Sequence, residues 1–239
     1  MKTYAPNYYK KFHCIAGECR HSCCIGWDVY LDDETLEKYE TLGGEIGKRV
    51  RAHLCEKEDG TCFEMCEDGR CPMLNEQGLC DIILEKGEDL ISEICTEHPR
   101  FYNFFSDRAE VGLGLSCEEA ARIILSQTEN FSLILLDDDE NEEKTAERDA
   151  KFFAFREKIF DVLQNGKTPI DERAKKMLAA AGAKFPRKNS REWVGILRGL
   201  EIMDPAWEKD LGVLCAPCFG NGDVSEHDTA FEKLLIYFV

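Results

Sequence analysis

The sequence predicts a mainly α-helical protein, with a cysteine-rich, loop-containing N-terminal metal-binding region followed by a helical module. The cysteines are unevenly spread: eleven of the thirteen lie between Cys14 and Cys117, and none lies in the next 97 residues. Beyond residue 144, apolar residues recur at the spacing that places them on one face of a helix. Alternating patterns typical of β-strands are scarce, so we expect at most one short β-hairpin.

An acidic run marks the predicted division between the two regions. The segment DDDENEE, residues 137–143, follows the apolar stretch FSLILL and has the character of a solvated linker or of the start of the next helix. We therefore predict a cysteine-rich metal or iron–sulfur region over residues 1–136 and a helical module over residues 144–239.

The N-terminal region contains short predicted helices separated by loops. Asp32 and Asp33 are residue types that cap helices, and the pattern that follows them is interrupted at Gly43 and Gly44. Further helices are predicted over 46–54 and 88–97. Residues 61–81 combine four cysteines with glycine and proline. This composition favours loops that are held in place by a bound metal over regular secondary structure. The best hairpin candidate joins 101–105 to 110–115.

The remaining helices are predicted from a cap and from periodicity. Ser116 and Glu119 form a capping box that opens the helix EEAARIILSQ, with Cys117 in its first turn. In the helical module, three segments have helical periodicity: 145–165, 170–181 and 190–202.

The net charge and the N-terminus limit the classes of partner and location. A formal charge of −17 opposes nonspecific binding to nucleic acid or to an anionic membrane. The N-terminal sequence MKTYAPNYYKKF lacks the apolar core of a signal peptide, and no run of about 18 apolar residues occurs. We therefore expect a cytoplasmic protein in which cysteines ligate metal rather than pair as disulfides.

Four cysteines are concentrated near the N-terminus. The spacing C-x4-C-x3-C-C groups soft ligands that select zinc or iron–sulfur clusters: Cys14, Cys19, Cys23 and Cys24. Because neighbouring side chains diverge, the last two are not expected to bind one ion. One of them then serves a second site or packs. Further thiols follow at Cys71, Cys80, Cys95 and Cys117. Eight cysteines supply either one four-ligand site with spares or two sites.

The other cysteines and histidines leave alternatives open. Three cysteines suit metal ligation and core packing equally: Cys55, Cys62 and Cys66. Cys215 and Cys218 form a C-x2-C half-site without a second pair nearby. The radical S-adenosylmethionine spacing C-x3-C-x2-C is not met, because Gly26 stands where the third cysteine would be. His13 and His21 flank the first cluster and are candidates for ligands or for neighbours of ligands.

Several sequence blocks in a fixed order resemble a known family. The blocks are YYKKFHCIAGECRHSCCIGWDVYLD, CPMLNEQGLCDI, C-x3-PR from Cys95 to Arg100, and LSCEEAARIIL. They resemble the flagellin lysine-N-methylase family, which lies within a wider group of cysteine-cluster proteins thought to chelate zinc or iron. The resemblance continues through KFFAFREKIFDVLQNGKTPIDERAKKML and FEKLLIYFV. This chain has Ser116-Cys117-Glu118 where members usually have Ser-Cys-Pro.

The resemblance implies methyl transfer from S-adenosylmethionine to lysine side chains of flagellin, with a 4Fe–4S iron–sulfur cluster or zinc. Carried over by match, the metal set comprises Cys14, Cys19, Cys23, Cys24, Cys71, Cys80, Cys95 and Cys117. Members often extend beyond a segment like FEKLLIYFV, so the resemblance implies a short member or one truncated at its C-terminus.

Three classes of function are compatible with these residues. The first is an S-adenosylmethionine-dependent protein-lysine N-methyltransferase. The second is a non-enzymatic metal-chelating binding protein in which bound zinc or iron only holds the loops together. The third is redox sensing or electron transfer through a cluster. Asp28, Tyr30 and Tyr102 lie near the cysteine blocks, but the sequence singles out no base and no residue that binds S-adenosylmethionine.

Overall fold

The computed structural model describes residues 1–20, 22–138, 144–183, 190–200, 202, 205–214 and 228–239. Its strands are β1 (Lys2–Pro6), β2 (Leu54–Lys57), β3 (Gly60–Phe63), β4 (Arg100–Phe104), β5 (Arg108–Leu113) and β6 (Leu133–Asp137). Its helices are α1 (Asp33–Thr41), α2 (Gly44–Ala52), α3 (Asp81–Lys86), α4 (Glu93–Glu97), α5 (Glu118–Leu125), α6 (Glu147–Leu163), α7 (Ile170–Ala180), α8 (Ser190–Leu197), α9 (Ala206–Leu214) and α10 (Asp228–Tyr237).

Four strands form a mixed sheet in the order β4-β5-β1-β6. Strand β1 runs parallel to β5, with Tyr4 opposite Glu110, and antiparallel to β6, with Ala5 opposite Ile134. Parallel neighbours need a long crossover connection. Residues 7–107, which hold most of the cysteines, therefore form the crossover between β1 and β5.

The prediction of a mainly α-helical protein is wrong, because a four-stranded mixed sheet lies beside the helices. The predicted hairpin is present as β4 and β5, but it is only half of that sheet. Strands β1 (KTYAP) and β6 (LILLD) were not predicted, because neither sequence alternates between polar and apolar residues. A second hairpin, β2 with β3, extends into the segment predicted as loops.

The first hydrophobic core lies beneath the cysteine-rich segment. Tyr39 of α1 and Ile46 and Val50 of α2 are buried together with Phe63 and Met73. These side chains recur at helical spacing in α1 and α2, which is why both predicted helices form here. The core gives the neighbouring loops a rigid base.

Asp32 caps α1, as the sequence predicts, and also contacts the start of α4. Its Oδ1 accepts the backbone N–H of Thr35 at 2.9 Å, and its Oδ2 accepts the backbone N–H of Glu93 at 2.8 Å. Burial alone would raise the pKa of Asp32, but these hydrogen bonds outweigh it and lower the pKa to about 2. The carboxylate therefore fixes α1 against the helix that carries Cys95.

Helix α10 packs on both halves of the chain. Tyr237 contacts the core formed by Tyr8 and Ile124, whereas Ile236 is buried with Ile159 and Phe160 of α6. Helices α6 and α7 lie close to the predicted segments 145–165 and 170–181, and α8 ends earlier than predicted. Among the described helices, none has the length and apolar character needed to span a membrane.

A buried ion pair joins the sheet to the helices. Both terminal guanidinium nitrogens of Arg156 on α6 donate to the carboxylate of Glu110 on β5, each at 2.6 Å. The side chains are only 10% and 8% exposed. The pair therefore fixes α6 across β5, linking the two predicted regions.

Candidate functional site

A cavity of about 210 Å³ opens in the cysteine-rich region. Seven of the eight predicted metal-binding cysteines line it: Cys14, Cys19, Cys23, Cys24, Cys71, Cys80 and Cys95. The eighth, Cys117, immediately precedes α5 and does not line the cavity, but it is close enough for its charge to act on Cys19 in the wall. Burial, followed by the charges of Cys117 and Cys14, raises the pKa of the Cys19 thiol. The fold thus brings the whole predicted set into one neighbourhood.

Loops and helix ends position these thiols. The segment from Cys14 to Cys24 follows β1 and is bent by a 3₁₀ turn at Ala16–Glu18. Cys71 and Cys80 lie on the connection between β3 and α3, and Cys95 lies within α4. Three separate stretches of chain therefore contribute to one wall.

Backbone hydrogen bonds hold the first cysteine loop against the second. The N–H of Gly26 donates to the carbonyl of Gly69 at 2.9 Å, and the N–H of Cys71 donates to the carbonyl of Cys24 at 2.8 Å. Gly69 has a φ of +77°, a conformation that glycine adopts without steric cost. The chain can therefore turn at Gly69 and bring Cys71 beside Cys24.

The eight cysteines fall into two groups by their surroundings. The inner cysteines pack in or against the first core: Cys24, Cys71, Cys80 and Cys95. The outer cysteines are the exposed or half-buried remainder: Cys14, Cys19, Cys23 and Cys117. The adjacent residues Cys23 and Cys24 therefore have different environments.

Burial and hydrogen bonding act in opposite directions on the inner thiols. Burial raises the pKa of Cys71 to about 12 and that of Cys95 to about 11. The hydrogen bond from Cys23 is the largest effect on Cys24, and it lowers the pKa of Cys24 to about 6 against the effect of burial. Ser22 and the charge of Arg70 lower it further. Cys24 therefore loses its proton more readily than the other inner cysteines, whose pKa values are raised.

The donor set suits a soft metal, because thiolates select zinc and iron–sulfur clusters. As the side chains stand, the described part of the chain contains no group of three or more Cys, His, Asp or Glu residues that could hold one ion. The cysteines nevertheless suit such a metal, because they are thiols and lie in one region of the fold. Binding would require the thiols of a group to turn toward one another.

The start of α5 differs from the sequence prediction. Cys117 rather than Ser116 occupies the cap position, and it makes no side-chain capping bond. The carboxylate of Glu119 bonds instead to Arg122, at 2.5 and 2.6 Å. The predicted capping box is therefore wrong, because a partner one turn later competes for the same carboxylate.

His98 lies in the cavity wall and was missed as a functional residue by the sequence analysis. Its ring lies 6.2 Å from that of Trp27, which also lines the cavity. Burial lowers the pKa of His98, and its Nε2 atom is buried without a hydrogen-bond partner among the described residues. The spacing from Cys95, C-x2-H, was the available sequence signal.

The other sequence candidates lie elsewhere. Asp28 forms an ion pair with Lys57 at 2.6 Å, and the hydroxyl of Tyr102 donates to Glu97 at 2.7 Å. Tyr30 pairs through its backbone with Cys62. Neither these three candidates nor His13 lines the cavity. Three further candidates lie outside the described residues: His21, Cys215 and Cys218.

The fold and cavity define a cysteine-rich protein of mixed α and β structure with a thiol-lined cavity. The chain is 28% identical over 139 residues to a Lysine-N-methylase of Salmonella typhimurium, covering 54% of this chain and 33% of the relative. The corresponding Lysine-N-methylase of Salmonella choleraesuis gives the same identity and coverage. The Flagellar biosynthetic protein FliU of Salmonella muenchen is 26% identical over 139 residues, covering 54% of this chain and 79% of the relative.

These similarities are distant and partial. The matched segment spans 33% of the length of the two lysine-N-methylases. No protein-family model matches the sequence, and no solved structure matches it.

Proposed function

We propose that this chain forms part of a protein lysine N-methyltransferase that transfers methyl groups from S-adenosylmethionine to lysine side chains of flagellin. The observation that carries the proposal is the similarity to two proteins named Lysine-N-methylase. The name Flagellar biosynthetic protein FliU supports flagellin as the substrate. The activity of the whole protein is part of this proposal, since the matched segment is a third of the named methylases.

The cavity has properties that methyl transfer to an amine requires. The lone pair of the lysine nitrogen attacks the methyl carbon, the carbon–sulfur bond breaks, and one proton leaves the nitrogen. The amine must therefore be neutral and aligned with the sulfonium. Apolar walls lower the pKa of an entering lysine because burial disfavours its charged form. Val29, Phe63 and Met73 supply such a wall.

We assign His98, which lies in the cavity wall, as the residue that contacts the lysine amine. The buried Nε2 atom has no hydrogen-bond partner among the described residues, and a neutral imidazole nitrogen accepts a hydrogen bond or a proton. Tyr39 is also titratable and lines the cavity, but its hydroxyl already donates to the carbonyl of Leu90 at 2.8 Å. His98 therefore holds the lysine nitrogen and receives its proton.

We further propose that the eight cysteines hold zinc or an iron–sulfur cluster. The inner and outer cysteines each supply four thiols, the number that completes a zinc site or a four-iron cluster. When bound, the metal would crosslink the loops that form the cavity wall. The chain's own contribution is to present these thiols from a rigid core.

The size of the cavity favours one alternative, a metal-chelating protein without enzymatic activity. Pockets that enclose drug-sized ligands usually measure about 300–1,000 Å³. The cavity measures about 210 Å³, so it suits a lysine side chain or a metal centre better than a whole S-adenosylmethionine. In the enzyme, most of the cofactor must then bind outside this cavity.

One experiment separates the two functions. The protein is purified without oxygen, its metal is measured by elemental analysis and optical spectroscopy, and S-adenosylmethionine is titrated in by calorimetry. Labelled methyl groups are then followed into flagellin, with flagellin whose lysines are chemically blocked as the control. Transfer that requires free lysines supports the enzyme. Bound metal with neither cofactor binding nor transfer supports the chelating protein.

A histidine variant tests the assignment of His98. We expect His98→Ala to lower the transfer rate by about 10²–10⁴-fold, the usual contribution of a positioned acid or base. Metal content should stay unchanged. His13→Ala is the matched control, because His13 is exposed and does not line the cavity. Equal rates in the two variants would remove His98 from the mechanism.

A further inference from the structure

Two cysteines outside the cavity face each other across the β2–β3 hairpin. Cys55 and Cys62 are directly opposite in the antiparallel register, and their sulfur atoms lie 3.3 Å apart. The pair adjoins a tight connection, because Lys57 is opposite Gly60 with two residues between them. The hairpin therefore holds both thiols in a fixed register.

The pair is distinct from the proposed metal site. Neither Cys55 nor Cys62 is among the residues that line the cavity. Cys62 is fully buried, whereas Cys55 is half-buried and so remains accessible to a reagent from solvent. Cys55 can thus react first with a disulfide from solution, and the buried Cys62 can react with the Cys55 sulfur afterwards.

The geometry of an antiparallel pair is compatible with a disulfide. Opposite residues have Cα atoms about 4.5–5.5 Å apart. Disulfide-bonded cysteines usually have Cα atoms about 4.4–6.8 Å apart. Bond formation between Cys55 and Cys62 therefore requires side-chain rotation and only a small approach of the sulfurs.

We propose that Cys55 and Cys62 form a reversible thiol–disulfide pair, oxidised by a small disulfide such as oxidised glutathione. The Cys55 thiolate attacks one glutathione sulfur, forming a mixed disulfide and releasing one glutathione. Cys62 then loses its proton and attacks the Cys55 sulfur, releasing the second glutathione. The balance is two cysteine thiols and one glutathione disulfide giving one protein disulfide and two glutathione thiols.

Oxidation of this pair would act on a strand that supports the cavity. On the other side of β3, Leu31 donates its N–H to the carbonyl of Thr61 at 3.0 Å, and Phe63 donates to the carbonyl of Val29 at 3.1 Å. Val29 and Phe63 both line the cavity. A disulfide between Cys55 and Cys62 would therefore tie the hairpin together directly beside this wall.

Tryptic peptides provide a direct test. Cleavage after Arg51, Lys57 and Arg70 places Cys55 in peptide 52–57 and Cys62 in peptide 58–70. The full-length reduced protein is incubated with oxidised glutathione, its free thiols are blocked with N-ethylmaleimide, and the digest is analysed by mass spectrometry. We expect the two peptides joined, and separated again by reductant.

Cys66 must be distinguished from Cys62, because peptide 58–70 contains both. Cys66→Ser is the matched control: Cys66 is exposed, and the variant should keep the crosslink. Cys62→Ser and Cys55→Ser should each lose it, and the Cys55 variant avoids any change at the buried position. Glutathione on Cys55 without a crosslink, or a crosslink that persists in Cys62→Ser, would overturn the proposal.

Discussion

Glu118 accepts two hydrogen bonds from Arg20, one from the backbone N–H at 2.8 Å and one from the guanidinium at 2.9 Å. The contact ties the first cysteine loop to the start of α5 and sets Cys19 near Cys117. Members of the flagellin lysine-N-methylase family, which the sequence resembles, usually have proline at the position of Glu118. We therefore expect the Glu118 carboxylate to hold Cys19 and Cys117 in position relative to each other.

We expect Glu118→Ala to reduce metal binding by the outer cysteines with little loss of stability. The Arg20 side chain is 74% exposed, and exposed ion pairs contribute about 0–1 kcal/mol. The measurement is metal content per chain after anaerobic reconstitution, together with urea unfolding. Glu147→Ala is the charge-matched control, since Glu147 forms an exposed pair with Lys151 on α6. Equal metal content in the two variants would contradict the positioning role.

An inner cysteine should affect both metal content and stability. Cys71→Ser places a hydroxyl in a buried position, which costs about 1–3 kcal/mol when the hydroxyl lacks a partner. We expect lower metal content and a lower melting temperature than in the parent chain. Cys66→Ser, at an exposed thiol, should leave both quantities unchanged. Full metal content in Cys71→Ser would exclude Cys71 as a ligand.

The Arg156–Glu110 pair should be costly to break from one side. Glu110→Gln leaves a buried guanidinium without its counter-charge, and removing one partner of a buried pair costs about 3–5 kcal/mol. Replacing both partners, as Glu110→Leu with Arg156→Met, should recover much of this loss because no charge remains buried. Urea unfolding measures the free energies. A double variant as unstable as the single one would show that packing rather than charge dominates.

Asp32 should make stability depend on pH in the acid range. Its pKa is about 2 in the folded protein against 3.8 as the ordinary value. A lowered folded pKa stabilises the protein above the ordinary value, and the contribution is lost as pH falls through the folded pKa. We expect Asp32→Ala to cost about 0.5–2 kcal/mol at pH 7, as for other helix caps, and to converge with the parent as the pH falls below the folded pKa of about 2.

The adjacent residue Asp33 provides the comparison for this cap. It is exposed and lies in the first turn of α1 rather than at the cap position. Urea unfolding of Asp33→Ala at several pH values should therefore follow the parent protein closely. A pH-independent difference between Asp32→Ala and the parent would mean that the carboxylate does not supply the stabilisation.

Local signals in the sequence predicted part of the local structure. Asp32 caps α1 as expected, and α7 covers 170–180 against a predicted 170–181. These features depend on neighbours a few residues away. The sheet depends instead on pairing between β1 and β5, which are distant in the sequence, and no local pattern encodes that pairing.

The candidate site shows the same distinction. Cysteine type and spacing selected seven of the residues that line the cavity, because thiols are rare and chemically specific. Their division into inner and outer cysteines depends on which ones meet Tyr39, Met73 and the rest of the first core. His98 was missed because its short C-x2-H spacing from Cys95 is a weak signal by itself, whereas its buried ring nitrogen, unpartnered among the described residues, is evident only in the folded chain.

The position of β1 also bears on the time course of folding. It lies between β5 and β6 in the sheet, although residues 7–107 separate it from β5 along the chain. Non-local pairing of this kind is slow, because closing a large loop costs conformational entropy before any stabilising contact forms. We therefore expect chains that are short of metal to expose the edges of β5 and β6 for longer, and so to aggregate more readily during synthesis.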